Sequence, residues 1–546
     1  MIERVTHCGK WIGERKELRT GAVAFKEAIA NAGRPIFVVA HDEGHAVTHT
    51  GKMVWGGDLA SIENDHDLLG FAPPLLPDYL GDADFKKDLG IRYAYVVGAM
   101  ANGISSVELL QAAGRAGMIG FFGTGGLALD QVERAIDRLK NQTESFPYGF
   151  NLIHSPNDPQ LEEAVVALFI RRGIRLISAS AYLGLTLPLV YYRVKGIHET
   201  PDGGIVCPNR VIAKVSRVEV AARFFAPPPP KMLNELVHLG KISPLEAQLA
   251  KRIPLAQEIT AEADSGGHTD NRPALTLLPT FLALRDETVR EHQFSHPLRV
   301  GLGGGIATPE AAAAAFAMGA AYVLTGSINQ ACIQADTSQF VREMLAQASQ
   351  ADVAMAPSAD MFEIGARVQV LKRGTMFAMR AAKLYEIYKA YDHYDQLPQQ
   401  TRSLIEKDFL RSSFEHAWQQ TRQFFERRDP TQIARAENDP KHKMALVFRS
   451  YLGLASLWAK TGDPDRKIDY QIWCGPAMGA FNAWVKGTFL EDVSRRCAAT
   501  IGMNLLYGAA GIIRCGWLRN QGIKIPLHAA VFRPLRMEEM EKRLRI

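Results

Sequence analysis

The segment Arg299–Gln330, RVGLGGGIATPEAAAAAFAMGAAYVLTGSINQ, decides the predicted fold. Its pattern indicates an apolar strand, a glycine turn, an alanine-rich helix, a second apolar strand and another glycine turn. Glycine lacks a Cβ atom, so the turns at Gly303–Gly305 and Gly326–Ser327 let backbone N–H groups approach an anion closely. The loops after the last two strands of a (β/α)8 barrel frequently bind one phosphate in this way. The segment therefore predicts those two strands and a phosphorylated ligand.

The chain before that segment favours the same α/β fold. Strand and helix patterns alternate from residue 91 onward, as a parallel sheet with helical crossovers requires. A doubly wound sheet would carry GxGxxG in its first strand–helix turn, but that turn reads VVGAMANGISS. We therefore predict a closed TIM (β/α)8 barrel. Its predicted strands are Tyr93–Val97, Ile119–Phe122, Tyr148–Ile153, Leu176–Ala179, Val211–Val215, Ile259–Ala263, Val300–Leu302 and Tyr322–Leu324.

Changes of pattern along the chain predict three domains. Residues 1–89 form an N-terminal leader domain that contains β-strands, and residues 90–340 form the barrel. A proline run opens a helical insertion at about 227–254, which delays the next barrel strand. Residues 341–546 carry mainly helical patterns and are expected to cover the substrate or to dock a partner.

Composition and charge exclude several classes of function. The chain has 546 residues, of which 47% are hydrophobic and 22% charged, as in ordinary globular proteins. A net charge of +5 is too small at this length to favour nucleic acid as a partner. The six cysteines form no CxxC pair, so we expect neither a zinc site nor a disulfide framework. The charged N-terminal stretch and the absence of a long apolar run predict a cytoplasmic protein with no membrane partner.

A second informative stretch is Thr260–Pro273, TAEADSGGHTDNRP. It places His268 after two glycines at the end of a predicted strand, where the catalytic residues of barrel enzymes collect. An imidazole there can hydrogen-bond a carbonyl or donate a proton near neutral pH. A histidine that only orders the loop explains the pattern equally well.

Four further polar or soft side chains lie in or after predicted strands. Asn151 can donate and accept hydrogen bonds to a cofactor, although it could equally cap a turn. Met100 and Asn102 follow the first strand, where a methionine can lie against a flat ring or belong to the core. Lys214 interrupts an apolar strand and therefore either faces outward or has an anionic partner inside the barrel.

Two other motifs have less specific explanations. HDEGH at His41–His45 lacks the HExxH spacing of metal sites, and a solvated loop accounts for it better. We therefore predict no metal. WCGPAMGAFNAWVKG at Trp473–Gly487 is explained either by packing or by a wall of a substrate tunnel.

Four stretches of the sequence carry a family resemblance. GLGGGIATPEAAAAAFAMGAAYVLTGS and EADSGGHTD resemble FMN-dependent enoyl-ACP reductases and the related nitronate monooxygenases. IRYAYVVGAMANGISSVELLQAAGRAGMIGFFGTGGL at Ile91–Leu127 is similar to the PfaD family, and so is GPAMGAFNAWVKGTFLE. Members of that family are enoyl reductases of polyunsaturated fatty acid and polyketide synthases that act in trans. Asp264 departs from the glutamate usual in nitronate-type enzymes, which argues against a direct transfer of nitronate chemistry.

The resemblance implies a cofactor and roles for the residues singled out above. FMN would bind in the barrel, with its phosphate at the glycine turns and its ring near Met100, Asn102 and Asn151. Lys214 would stabilise the anionic reduced flavin, and His268 would face the substrate. The residues implied for the phosphate are Gly304, Gly305, Gly326 and Ser327.

The implied reaction is the reduction of a 2-enoyl thioester on acyl carrier protein. Hydride would pass from NADPH or NADH through FMN to the β-carbon, and the α-carbon would take a proton. The partners would be carrier domains of a multienzyme synthase, docked on the helical domain. The alternatives are a nitronate-oxidising flavin enzyme and a non-flavin phosphate-binding barrel or scaffold. The sequence does not distinguish NADPH from NADH, define the acyl chain or decide between a monomer and a homodimer.

Overall fold

The computed structural model describes residues 9–42, 44–55, 65–156 and 158–545, and its centre is a closed barrel of parallel strands. Neighbouring strands pair in chain order, and the eighth pairs with the first. The predicted TIM barrel is therefore confirmed. Within the described residues its eight strands are Tyr95–Val97 (β1), Ile119–Phe122 (β2), Tyr148–Ile153 (β3), Leu176–Ser180 (β4), Arg210–Val215 (β5), Glu258–Glu262 (β6), Arg299–Gly303 (β7) and Val323–Thr325 (β8).

Helices connect the barrel strands and cover the outside. The helix that follows β7 begins at Pro309. Thr308 caps this helix, because its side-chain oxygen accepts a hydrogen bond from the Ala311 N–H. The predicted insertion after β5 forms two helices, Pro230–His238 and Pro244–Ala250. The other helices of the barrel layer are Val107–Arg115, Leu129–Lys140, Pro159–Arg171, Leu187–Val194, Val218–Phe225, Ala274–His292, Pro309–Ala317, Ser327–Gln330 and Gln339–Ala346.

An antiparallel sheet precedes the barrel, as the predicted leader domain requires. Its helix Gly21–Ala30 packs with the sheet into the same hydrophobic core as the barrel. The segment Ala83–Leu89 is also helical, and Phe85 within it stacks on Tyr322 at 4.3 Å. The described strands of this sheet are Gly9–Ile12, Arg19–Thr20, Ile36–His41, Gly44–Thr48, Lys52–Val54 and Asp65–Ala72.

The amino-terminal end of the barrel is closed by an ionic cluster. Arg299 is buried at the start of β7 and donates to Glu258 at 2.9 Å and to Asp88 at 2.8 Å. Burial raises the pKa of Glu258, and the nearby arginines oppose that effect. The cluster lies at the start of the strands, whereas the cavities of the barrel are lined by residues at the carboxyl ends of the strands, which form the open mouth.

Residues 353–470 form a second hydrophobic core above that mouth, and we call them the helical module. The mainly helical C-terminal region predicted from the sequence is confirmed, and the module also contains an antiparallel hairpin at its start, Val353–Pro357 (β9) and Arg367–Leu371 (β10). Gly267–His268 in the loop after β6 pair with the free edge of β10 and make a three-stranded sheet, and Val368 and Val370 of β10 are buried in the core of the module. The helices of the module are Phe377–Ala390, Gln399–Leu404, Ile405–Leu410 (a π-helix), Phe414–Arg428, Thr431–Asn438 and Pro440–Thr461.

The chain then returns to the first core. Helix Ala498–Asn520 is largely buried, and Tyr507 donates to the Ala30 carbonyl at 2.7 Å. Arg514 donates to the Ile29 carbonyl at 2.9 Å, so the C-terminal residues are joined to the leader domain. Residues 471–545 therefore pack in the same hydrophobic core as the barrel. Among the described residues, no helix combines the length and apolar character that crossing a bilayer requires.

Candidate active site

The glycine turns after β7 and β8 face each other across a small cavity of about 100 Å³. Gly304 and Gly305 have φ angles of +88° and +77°, which side-chain-bearing residues rarely adopt. Within the described part of the chain, the N–H groups of Gly304, Gly305 and Gly326 donate no hydrogen bond to the protein. Unbonded N–H groups need a partner, so the turns offer three donors to an anion.

Space around these turns also fits a ligand. A Cβ atom added at Gly305 or Gly326 would meet no atom within 4 Å, so each glycine borders open space. Ser327 lines the same cavity, and its Oγ accepts a hydrogen bond from the Gly475 N–H at 3.1 Å. The four predicted phosphate-binding residues are thus brought together at one place.

Lys214 faces the barrel mouth and has a partner that the sequence analysis did not identify. Its Nζ lies 2.6 Å from Oε1 of Glu262, whose side chain is 12% exposed. Strand register explains the contact, because Lys214 on β5 pairs with Thr260 on β6, two residues before Glu262. The anionic group that a buried lysine needs is therefore supplied by the protein itself.

Asn151 and Met100 lie where the small cavity joins a larger one. The Asn151 Nδ2 donates to the Ser178 carbonyl at 2.8 Å and to Ser180 Oγ at 2.9 Å, which fixes the amide at the mouth. Met100 lines both cavities after β1. Asn102 lines only the larger of the two described cavities, and its Nδ2 donates to Ser456 Oγ of the module at 2.9 Å.

His268 is held by the module hairpin. The backbone of His268 pairs with that of Val368 in β10. The Nε2 atom of His268 lies 3.1 Å from Oδ1 of Asp360, which is in the loop that joins β9 to β10. Burial disfavours the charged imidazole, but the Asp360 carboxylate outweighs this effect and raises the pKa of His268. Burial likewise works to raise the pKa of Asp360, but the imidazole holds it at about 2. The pair therefore favours a protonated histidine at the mouth.

Asp264 has a structural part in this arrangement. Its Oδ1 accepts hydrogen bonds from Gln369 Nε2 at 2.6 Å and from Asn271 Nδ2 at 2.7 Å. Gln369 also donates to the Ser265 carbonyl at 2.7 Å. The carboxylate thus joins the loop of His268 to the module hairpin.

The WCGP motif forms a wall of the site. Trp473 lines both cavities, and Gly475 packs so tightly on the loop of His268 that a Cβ atom there would lie 2.8 Å from the Gly266 nitrogen. Trp473 thus forms part of the cavity wall, whereas Gly475 is explained by packing. In the HDEGH motif, His41, Gly44 and His45 lie in two strands of the leader sheet, where a solvated loop was expected, and Asp42 lies in the turn that follows His41. Glu43 lies outside the described residues.

A larger cavity of about 1160 Å³ extends from the mouth between the barrel and the module. It shares Met100, Asn151, Lys214, Glu262 and Trp473 with the cavity at the glycine turns, so the two are connected. Sequence reasoning did not find the module's share of this site, and Asp360, Gln369 and Glu262 were all missed. For Glu262 a signal existed, since it is the acidic residue within the predicted strand Ile259–Ala263, which follows the strand of Lys214 along the chain.

Comparison with known proteins agrees with this architecture. Residues 84–387, more than half of the chain, match the family model described as nitronate monooxygenase. Residues 391–470 match the model described as the inserted helical domain of acyl-carrier-protein S-malonyltransferase. The first model therefore covers the barrel and the hairpin of the module, and the second covers the later helices of the module.

Similar proteins occur in biosynthetic synthases. The chain is 46% identical over 448 residues to a polyunsaturated fatty acid synthase subunit of Thraustochytrium sp., a match that covers 81% of this chain and 30% of that protein. It is 45% identical over 435 residues to polyketide biosynthesis protein PksE of Bacillus subtilis, a match that covers 80% of this chain and 56% of that protein. The chain thus spans about a third to a half of the length of these relatives.

A crystal structure is also similar over most of the chain. It is that of the enoyl reductase domain of MlnA from the macrolactin biosynthesis cluster of Bacillus amyloliquefaciens, at 40% identity and a TM-score of 0.77. The match covers 81% of this chain and 99% of that domain. The barrel with its paired glycine turns thus defines a (β/α)8 protein with a cavity at the carboxyl ends of its strands. The chain belongs to the nitronate monooxygenase family, and the resemblance to its PfaD-like members is confirmed.

Proposed function

We propose that the protein is an FMN-dependent enoyl reductase that reduces 2-enoyl thioesters on acyl carrier protein with NADPH or NADH. One observation carries the proposal: the unbonded N–H groups of the glycine turns and the His268–Asp360 pair open into connected cavities. The name of the similar crystal structure, an enoyl reductase domain, supports the reaction. The names of the relatives support a place in polyunsaturated fatty acid or polyketide synthesis.

The residues at the mouth fit FMN. The N–H groups at Gly304, Gly305, Gly326 and Ser327 would hold the phosphate, because unbonded donors and missing Cβ atoms leave room for its oxygens. Met100 and Asn151 would lie along the rest of the cofactor, since both line the junction of the two cavities. When bound, FMN supplies a group that accepts a hydride from the nicotinamide and passes it to the enoyl carbon.

His268 would act on the substrate. Its Nε2 is bonded to Asp360, which leaves Nδ1 to donate a hydrogen bond to the thioester carbonyl and then a proton to the α-carbon. A protonated imidazole beside the carbonyl would stabilise the negative charge that develops there. Lys214 would stabilise negative charge on the reduced cofactor, and Glu262 would hold the ammonium group in place. Asn102 would position the loop after β1 through its bond to the module.

The larger cavity supports a carrier-bound substrate. Its volume of about 1160 Å³ exceeds the range of roughly 300–1,000 Å³ that is usual for small-molecule sites. An acyl chain on a phosphopantetheine arm would need such a long, partly apolar space. The module also matches a domain named for an enzyme of acyl carrier protein, which supports the same partner.

The test is a spectroscopic titration of the purified protein. We expect bound FMN to give a visible absorption spectrum that NADPH or NADH bleaches without oxygen and that crotonyl thioester then restores. Nitronate oxidation, which the family description suggests as a second function, would instead require restoration by oxygen and little response to the enoyl thioester. Colourless protein that takes up no FMN would contradict both functions.

Asp360→Asn is expected to shift the pH dependence of the reaction. The Asp360 carboxylate raises the pKa of His268, so its removal lowers that pKa and deprotonates the histidine at lower pH. If His268 works in its protonated form, the alkaline loss of kcat/KM should move toward acidic pH. The measurement is kcat/KM against pH for both proteins. Asp392→Asn is the control, because Asp392 is exposed, pairs with Lys441 and does not line the cavity. If kcat/KM of Asp360→Asn declines at the same alkaline pH as that of the unaltered protein, the role of the His268–Asp360 pair is contradicted.

A further inference from the structure

Part of the lining of the larger cavity consists of large, exposed apolar side chains, and we call this part the apolar wall. In a folded protein, large apolar side chains exposed together mark a binding surface. Five such side chains, each at least 38% exposed, line this cavity and come from both the barrel and the module: Leu183, Ile364, Phe424, Leu454 and Leu457. The wall therefore suits an extended apolar ligand that lies between the two parts of the molecule.

Gly453 lines the same cavity as the apolar wall. It is in the interior of helix Pro440–Thr461, beside Leu454 and one turn before Leu457. Glycine weakens a helix interior relative to alanine, so its presence there needs a reason. A Cβ atom added at Gly453 would meet no protein atom within 4 Å, because the position faces the cavity. The missing side chain thus enlarges the cavity without serving any packing in the protein.

We propose that Gly453 and the apolar wall determine acyl chain length by keeping space for a long chain along helix Pro440–Thr461. This proposal rests on the proposed enoyl reductase function and names its substrate class as long-chain 2-enoyl thioesters. A short enoyl group would reach His268 without filling the space beside Gly453. A long chain would fill it and gain contact with the wall.

The experiment compares trans-2-hexadecenoyl and crotonyl thioesters of pantetheine with the flavin-loaded protein. In Gly453→Leu, the leucine side chain occupies space that the long chain needs, so the ratio of kcat/KM for the long over the short substrate should fall by about tenfold or more. Gly516→Leu is the matched control, because Gly516 is also helical, has equally open surroundings and does not line the cavity. Its ratio should equal that of the unaltered protein.

A second variant covers the case in which Gly453→Leu fails to fold. Leu457→Ala removes apolar contact at an exposed position, so it should fold and should also lower the ratio. Binding of the saturated hexadecanoyl and butanoyl thioesters, measured by calorimetry, should show the same loss for the long chain. An unchanged ratio in folded Gly453→Leu, or in Leu457→Ala if the first is unfolded, would overturn the proposal. Absence of reduction of both thioesters by the unaltered protein would instead contradict the enoyl reductase function.

Discussion

His268→Ala is expected to lower kcat for enoyl reduction by about 10²- to 10⁴-fold, the range typical of a lost general acid. The histidine lies at the barrel mouth, where its Nε2 is hydrogen-bonded to Asp360, and this pair favours the protonated imidazole. Alanine removes both the hydrogen bond to the substrate carbonyl and the proton source. Stopped-flow measurement of the reoxidation of reduced protein by crotonyl thioester isolates this step from the reaction with NADPH.

The controls separate chemistry from folding and cofactor binding. His268→Ala should retain the visible spectrum of bound FMN and its reduction by NADPH, because the glycine turns do not depend on the imidazole. His416→Ala, an exposed histidine of the module that does not line the cavity, should react at the unaltered rate. A reoxidation rate in His268→Ala within about twofold of the unaltered protein would remove His268 from the mechanism.

The barrel was predictable because its strands are local features of the sequence. Parallel strands that are buried on both faces form short apolar runs, and glycine or polar residues mark their ends. The run around Val300 and the run around Val323 were therefore placed to within one or two residues. The glycine turns were predictable for the same reason, because they are also local features of the sequence. Gly304 has a positive φ angle that few residues other than glycine adopt.

The module's part of the site was not predictable from such local patterns. Asp360 meets His268 across 92 residues, and it lies in a hairpin loop whose strands are short. The edge of β10 pairs with Gly267–His268, which lie about 100 residues earlier in the chain. The hairpin therefore depends on a contact that the periodicity of its own sequence does not reveal. Residues 471–545 pose the same difficulty, because helix Ala498–Asn520 is buried on almost all sides by elements from distant parts of the chain.

Gly304→Ala is expected to weaken FMN binding by about 10²-fold or more. Alanine at φ +88° is strained, at a cost of about 1–3 kcal/mol. Its Cβ atom would also lie 2.6 Å from the Ala263 carbonyl carbon and oxygen, and backbone cannot move aside as a side chain can. The turn would have to shift, and the loss of two charge-assisted hydrogen bonds at about 1.5–3 kcal/mol each gives the expected factor. Fluorescence titration of the deflavinated protein with FMN measures the Kd.

Gly240→Ala provides the matched control for backbone strain. Gly240 has φ +66° in the helical insertion, a Cβ atom there meets nothing within 4 Å, and it does not line either described cavity. Its substitution should lower the Tm through the same kind of strain while the Kd for FMN stays unchanged. Gly305→Ala, at φ +77°, carries the same kind of strain as Gly240→Ala but borders the small cavity, so a higher Kd for FMN in Gly305→Ala than in Gly240→Ala would report contact with the ligand. An unaltered Kd in both Gly304→Ala and Gly305→Ala would contradict the assignment of the phosphate to these turns.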